Sequence, residues 1–409
     1  MKEPNREIFQ LLKRKNGDAF EADVVANWYI ARNYVLRHFN DWTGVGIGPE
    51  SRNTFDIVVD GFSPLMYCVV RQIALMAHFA NFDENDENTC SKITINYPES
   101  YTLDQLKREI DILSKEEYLC NLIEYSDYKL LSGTGDKVEH KGLPFTDIKF
   151  ILRAKGNDCH DDGKLTVRED DVLAYEKAQC CNMCFDEKDL KAGMLVNLAY
   201  SIGVEINNLP PTDNNTANRY NIALDCINSK RRKDMVRGWN KPFTSTAINQ
   251  VDLKNALSCI YCADTFESRV RGLLRTTEPL SEKLLIANTN TIKTAIARNL
   301  KKLSLTEHAR WVAEKLISGF RPMTEEESYI DETNVGRRNP YRKHLKNRSV
   351  DPSHIDITSF ADLKRINPED QKYDCFIILA MPIVLKMKFG RRNVFVRLLN
   401  RAARLIIRR

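Results

Sequence analysis

The run Phe55-Asp56-Ile57-Val58-Val59-Asp60-Gly61-Phe62-Ser63-Pro64 organises the reading of everything around it. A β-branched stretch that ends in a turn residue predicts a strand. Ser63 then offers an oxygen to cap a helix, and Pro64 suits the first helical position, so the apolar stretch to about Ala80 reads as a helix. A polar loop (Asn81 to Asn88) leads to a second strand, Ser91 to Asn96. Thr102 to about Ile123 has the pattern of a charged amphipathic helix, and Ile148 to Leu152 reads as a third strand. Strand, helix, strand, helix, strand in one unit predicts a parallel, right-handed βαβ sheet.

On either side the pattern is helical. Glu7 to Phe39 carries apolar residues at helical spacing until the loop Asp41 to Pro49 breaks it. Beyond Asp186, helices are expected over Asp189 to Ile202, Ala217 to Trp239, Val251 to Leu274 and Ser281 to Leu303. Thr306 to Phe320 reads as a compact helix, an irregular stretch reaches Ser353, and a further helix runs from Pro368 to about Lys388. Gly156 to Arg168 and Asn207 to Thr216 read as polar loops.

Composition narrows the function classes. The chain has 409 residues, 43% hydrophobic and 29% charged, values that exclude collagen-like, fully disordered and polytopic membrane proteins. Its formal charge is +5, yet nine basic residues and no acidic one lie between Lys386 and Arg409. The body is therefore mildly acidic, which speaks against nucleic acid as a partner. Eleven cysteines at irregular spacing and a polar start, MKEPNREIFQ, predict reduced thiols in a cytoplasmic protein. The nearly apolar run Cys375 to Leu385 is too short to span a bilayer and contains Pro382.

Three features are candidate sites. The turn Gly61-Phe62-Ser63-Pro64 stands where a dinucleotide-binding fold places its glycine-rich phosphate turn, which needs glycines so that backbone N–H groups can approach a pyrophosphate. Only Gly61 is present, and Asn96 ends the second strand where an acidic residue would take a ribose hydroxyl. Gly61, Ser63 and Asn96 are thus the candidate cofactor contacts, for NAD or another nucleotide, against the alternative of a sheet that binds none. Two Cys-x-x-Cys pairs, Cys181/Cys184 and Cys259/Cys262, offer four thiolates for zinc, or simply core thiols one helical turn apart. In the tail 393–409, Arg397, Arg401, Arg404 and Arg408 recur at spacings of four, three and four beside an apolar face. That pattern fits a helix on an anionic membrane surface, and equally a helix docked on its own body or on a partner protein.

The segment from Glu307-His308-Ala309-Arg310-Trp311 to Gly319-Phe320 resembles the opening helix of the ryanodine receptor repeat (RyR) domain. Asn339 to His344, Ile357 to Leu363 and Lys372-Tyr373-Asp374 match its later pieces in order, over about Ser304 to Pro382. The strand–helix–strand around Phe55 to Asn96 resembles the Rossmann-like module of TrkA potassium-uptake regulators. Leu284 to Thr289 is similar to the linker found before RyR domains in such bacterial proteins. The resemblance implies a sensor or effector in a nucleotide-linked conflict (antiphage) system.

On the helix, His308, Trp311 and Lys315 share one face at spacings of three and four, able to stack an adenine and hold a phosphate. Tyr341, Arg342 and Lys343 are placed for an anionic ligand. The alternative sets Trp311 in a core, His308 as a structural histidine and Glu307 with Arg310 as a surface pair.

The expectation is an α/β protein: a helical segment (1–50), a Rossmann-like parallel-sheet domain (51–185), a helical middle (186–303), a small α-helical RyR-type domain (304–385) and a basic tail (386–409). Its expected function is non-catalytic sensing of a nucleotide or nucleotide-derived signal in a homo-oligomer, with output through the tail. The rivals are a Rossmann enzyme that binds NAD or hydrolyses a nucleotide, and a purely structural interaction module.

Overall fold

The computed structural model describes residues 22–113, 119–131, 137–155, 164–178, 188–189, 192–193, 195–197, 199, 253–324, 327, 346–347, 352–366 and 368–389. The protein is mixed α/β. Helix α1 (Ala22–Trp42) precedes a six-stranded sheet of β1 (Asp56–Asp60), β2 (Ser91–Pro98), β3 (Asp127–Leu131), β4 (Lys137–His140), β5 (Ile148–Lys155) and β6 (Leu165–Arg168). Their spatial order is β4-β3-β5-β2-β1-β6. Five strands are parallel, and β4 pairs antiparallel with β3 at one edge. The chain leaves β1 for β2 on one side and later returns to place β6 on the other.

Helix α2 (Pro64–Met76) follows β1 as the sequence leads one to expect. Ser63 Oγ accepts the Met66 N–H at 3.3 Å and Pro64 opens the first turn. Every residue from Leu65 to Met76 is buried. The register puts Ile57, Ile93 and Phe150 in one row and Val59, Ile95 and Leu152 in the next, all facing the main core. The alternate residues of the same strands, ending in Asp60, Asn96 and Arg153, share the opposite face.

Three strands of this sheet were not foreseen. β3 and β4 form a short ladder, and β6 occupies the end of the stretch 156–168 that reads as loop. Only Val167 of its four residues is buried, so the apolar alternation is too brief to register, and pairing with β1 is what fixes it. The helix expected from Thr102 to Ile123 is two, α3 (Leu103–Leu113) and α4 (Leu119–Tyr125). Helix α5 (Glu169–Ala178) follows β6, and α6 (Leu253–Leu274) lies where a helix was expected.

The stretch Ser281 to Leu303, expected as one helix, is α7 (Glu282–Ala287), α8 (Thr289–Arg298) and the start of α9 (Leu300–Ile317). Asn288 and Asn299 make the breaks. Each folds its side-chain amide back onto the carbonyl four residues earlier, Leu284 at 3.0 Å and Ala295 at 2.9 Å. Helix α9 therefore begins before Thr306. It closes at Gly319, whose φ of +83° is left-handed: Gly319 N–H bonds to Leu316 O at 3.1 Å and Phe320 N–H to Lys315 O at 3.0 Å. Three two-residue strands, β7 (Arg321–Pro322), β8 (Lys346–Asn347) and β9 (Ser353–His354), form a small second sheet before α10 (Phe360–Ile366) and α11 (Pro368–Phe389). No helix among the described residues is long and apolar enough to cross a membrane.

The main core joins the sheet to α1, α2 and α4. A second core joins α6, α7, α8 and α11. Helices α6 and α9 contribute to both, Ile260 and Val312 to the first, Phe266 and Leu303 to the second. The helical half is thus packed directly on the sheet half.

Candidate functional site

The five parallel strands finish on one edge, and there a row of polar side chains crosses the sheet. Asp60, Asn96 and Arg153 are register partners on β1, β2 and β5, with Arg168 opposite Asp60 on β6. Asn96, 4% exposed, donates through Nδ2 to Asp60 Oδ1 at 3.0 Å and accepts from Arg153 Nε at its own Oδ1 at 2.8 Å. Lys155 Nζ lies 3.4 Å from Asp60 Oδ1. Each amide atom of Asn96 thus serves one neighbour, Nδ2 the carboxylate and Oδ1 the guanidinium. Among the described residues, the terminal nitrogens of Arg153 and Oδ2 of Asp60 keep their hydrogen-bonding capacity. A buried amide thus fixes one cation and one carboxylate at the end of a parallel sheet, the edge where α/β folds bind ligands.

The neighbouring turn is built by the residues the sequence singles out. Gly61 has φ +146°, and a Cβ there would stand 3.0 Å from Met66 Cγ and 3.1 Å from Glu169 Oε2. Ser63 uses its hydroxyl oxygen in the helix cap. Gly61, Ser63 and Asn96 are accordingly brought to the same edge. Carboxylates and cations both flank the turn: Asp60 precedes it and Glu169 lies against it, while Arg168 stands opposite Asp60 on β6 and Lys155 reaches the same carboxylate. Phe62 and Tyr101, both half-buried, meet edge to face at 5.6 Å where β1 and β2 end.

The second candidate cluster lies on α9. His308 is 4% exposed, with Nε2 2.8 Å from Thr358 O and Nδ1 3.5 Å from Asp374 Oδ2. Burial pushes the Asp374 carboxyl up to about 6, against the pull of His308. The half-buried indole of Trp311 lies 6.0 Å from the nearly parallel His308 ring and 5.1 Å from the His354 ring, with Lys315 Nζ 5.4 Å from its centroid. His308, His354 and Lys315 thus line the indole, which stays partly exposed. Glu307 and Arg310 are not on the surface: both are buried in a network with Arg269 at 2.8 Å and Glu314 at 2.7 Å, because α6 packs over them. Tyr341, Arg342 and Lys343 lie outside the described residues.

Cys259 and Cys262 sit on α6, Cys262 fully buried in the second core and Cys259 3.8 Å from Asn197 Nδ2. Burial pushes the Cys259 thiol up to about 12 and raises that of Cys262 as well. Among the described residues no group of three or more His, Cys, Asp or Glu is arranged to hold a metal. Cys181, Cys184 and the tail 393–409 fall outside them.

Sequence reasoning missed Asp60, Arg153, Lys155 and Glu169 as site residues. The expected third strand stopped at Leu152, whereas β5 runs on to Lys155 and delivers two cations, two residues apart, to its carboxyl end. That spacing at a strand terminus was the available signal. Compared with models of known families, with curated proteins and with solved structures, the chain matches none.

Proposed function

We propose that this chain is a non-catalytic sensor that binds a nucleotide or nucleotide-derived signal at the carboxyl edge of its parallel sheet and transmits the bound state through its helical half. The observation that carries the reading is the Asp60–Asn96–Arg153 relay, which holds an open cation and an open carboxylate oxygen where α/β sheets receive their ligands. Helices α6 and α9 share both cores, so a ligand at this edge acts on a body already joined to the helices. The resemblance of 304–382 to RyR modules favours the same reading, an effector of a bacterial conflict system with the tail 393–409 as output on a membrane surface or partner protein.

The test is a thermal-shift screen of the full chain against NAD(H), ATP, ADP-ribose and cyclic oligonucleotides. At about 100 times the dissociation constant a bound ligand adds roughly 2.7 kcal/mol, well within detection. A shift with any of them supports the sensor, and no shift with all of them transfers the reading to an interaction module.

A further inference from the structure

The outer side of α1 carries opposite charges that do not meet. Arg37 and Asp41 stand one helical turn apart, both exposed, and neither has an ion-pair partner among the described residues. A base placed four residues before an acid is the weaker order for pairing along a helix. The Arg37 guanidinium lies instead over the Tyr175 ring of α5, 5.8 Å from its centroid. Beside these charges runs a row of rings. Tyr34, His38 and Trp42 follow one another at spacings of four, His38 4.6 Å from Tyr34 and nearly parallel to Trp42 at 6.1 Å. Tyr175 meets Tyr34 at 5.5 Å and His38 at 6.4 Å. Tyr34 is buried, whereas His38, Trp42 and Tyr175 keep part of their surface in water. In the turn after α1, Val45 is 47% exposed; only Ile286 matches it among the large apolar side chains described. Asp171 of α5 adds a second carboxylate beside Tyr34 and His38.

The opposite side of α1 is already taken, with Asn40 Nδ2 donating to Glu267 of α6 at 2.7 Å. The outer side is the open one, and it has the composition of a contact: tryptophan, tyrosine and arginine together, with charges at their margin. Its charges also complement themselves. Across a two-fold axis, antiparallel α1 helices bring Arg37 of each copy to Asp41 of the other, so each supplies what the other lacks. We propose that this face of α1 and α5 is the contact of a homodimer, its occupant a second copy of the chain. A basic partner would leave Arg37 facing a like charge, and an acidic one would face Asp41 and Asp171. The two-fold arrangement answers both signs. It does not depend on what binds at the sheet edge.

Sedimentation equilibrium of the full chain over a range of concentrations decides it, with the circular dichroism spectrum of each variant as the control for folding. The parent is expected to dimerise. Arg37→Glu sets carboxylates against carboxylates across the axis and should raise the dimer dissociation constant at least about tenfold. Adding Asp41→Arg to that variant reverses both charges and should restore most of the affinity, which a role confined to one chain would not produce. Val45→Asp should weaken the dimer as well. A parent that stays monomeric at every concentration overturns the inference, whether another segment of this chain or a different protein then covers the face. A dimer untouched by Arg37→Glu and Val45→Asp overturns it too, and so does one that the charge swap fails to recover. Should Arg37→Glu not fold, Val45→Asp at its exposed position decides alone.

Discussion

Arg32 of α1 holds Asp264 of α6 through two hydrogen bonds, 2.8 Å from Nε and 2.7 Å from Nη2, with both side chains buried. Asp189 lies 3.2 Å from Nη1 of the same arginine, and Lys388 of α11 lies 3.6 Å from Asp264. The pair ties the helix that covers the sheet to the helix that begins the second core. Removing one partner leaves a charge in a place without water, which typically costs 3–5 kcal/mol, whereas replacing both with apolar groups costs far less. Arg32→Met alone is therefore expected to lower stability by about 3 kcal/mol, and Arg32→Met with Asp264→Leu by less than that. Urea denaturation measures both, and a single variant within 1 kcal/mol of the parent would show that the pair does not hold the halves together.

The strongest parts of the fold were legible because they obey local rules. The strand–turn–helix at Asp56 to Met76 needs a β-branched run, a cap and a proline, and all are written in sequence order. The strand β6 depends on β1 for its existence, and no four-residue window records a partner a hundred residues away. The breaks at Asn288 and Asn299 were visible as residues yet not as breaks, since asparagine stops a helix only when its amide turns back on the chain.

Asn96 is the part of the candidate site most exposed to a structural test. Its amide is 4% exposed and serves Asp60 and Arg153 at once. Asn96→Ala leaves the Asp60 carboxylate and the Arg153 guanidinium facing each other across a small void, at a cost of about 1–3 kcal/mol. The melting temperature should fall accordingly, and nucleotide binding should fall with it, because Arg153 loses its orientation. A variant that melts lower yet binds normally would separate Asn96 from recognition.

That site was half legible. Asn96 drew notice only as a substitute for an acidic residue, and Gly61 as the remnant of a motif. Arg153, the partner of Asn96, lay one residue past the expected strand; its spacing from Lys155 marked the strand end, while cross-strand register is what sets it against Asn96.

The buried thiols make a chemical prediction. Cys90 and Cys259 are both pushed up to about 12 by burial, so neither is a thiolate at neutral pH. Iodoacetamide at pH 7.5, with sites mapped by mass spectrometry, should leave Cys90, Cys259 and Cys262 unmodified in the folded protein and label them in urea. Rapid labelling of Cys259 in the native state would restore the case for a reactive thiol.

Trp311 is held by His308, His354 and Lys315. Trp311→Ala removes a half-buried indole, which suggests a loss of about 2–3 kcal/mol, less than for a fully buried aromatic. The expected result is a lower melting temperature with the ligand response at the sheet edge intact. Loss of nucleotide binding in a protein of unchanged stability would move the site from the sheet to α9.

The carboxyl of Asp374 titrates near 6 in the fold, raised by burial from an ordinary 3.8 and faced by His308, Glu307 and Arg310. Between those two values the folded chain keeps a proton that the unfolded chain has released, so folding stability declines as pH rises. The contribution is fully present below about pH 4 and lost once the pH passes about 6. Asp374→Asn cannot titrate and should lack this decline, while its amide can still hydrogen-bond His308, 3.5 Å from the carboxyl it replaces. Urea midpoints of the parent and the variant, measured every half unit from pH 4 to pH 7, give the difference directly. The two profiles should diverge across that interval in the parent's disfavour as pH rises. Parallel profiles would mean that Asp374 is already ionised in the fold at pH 4.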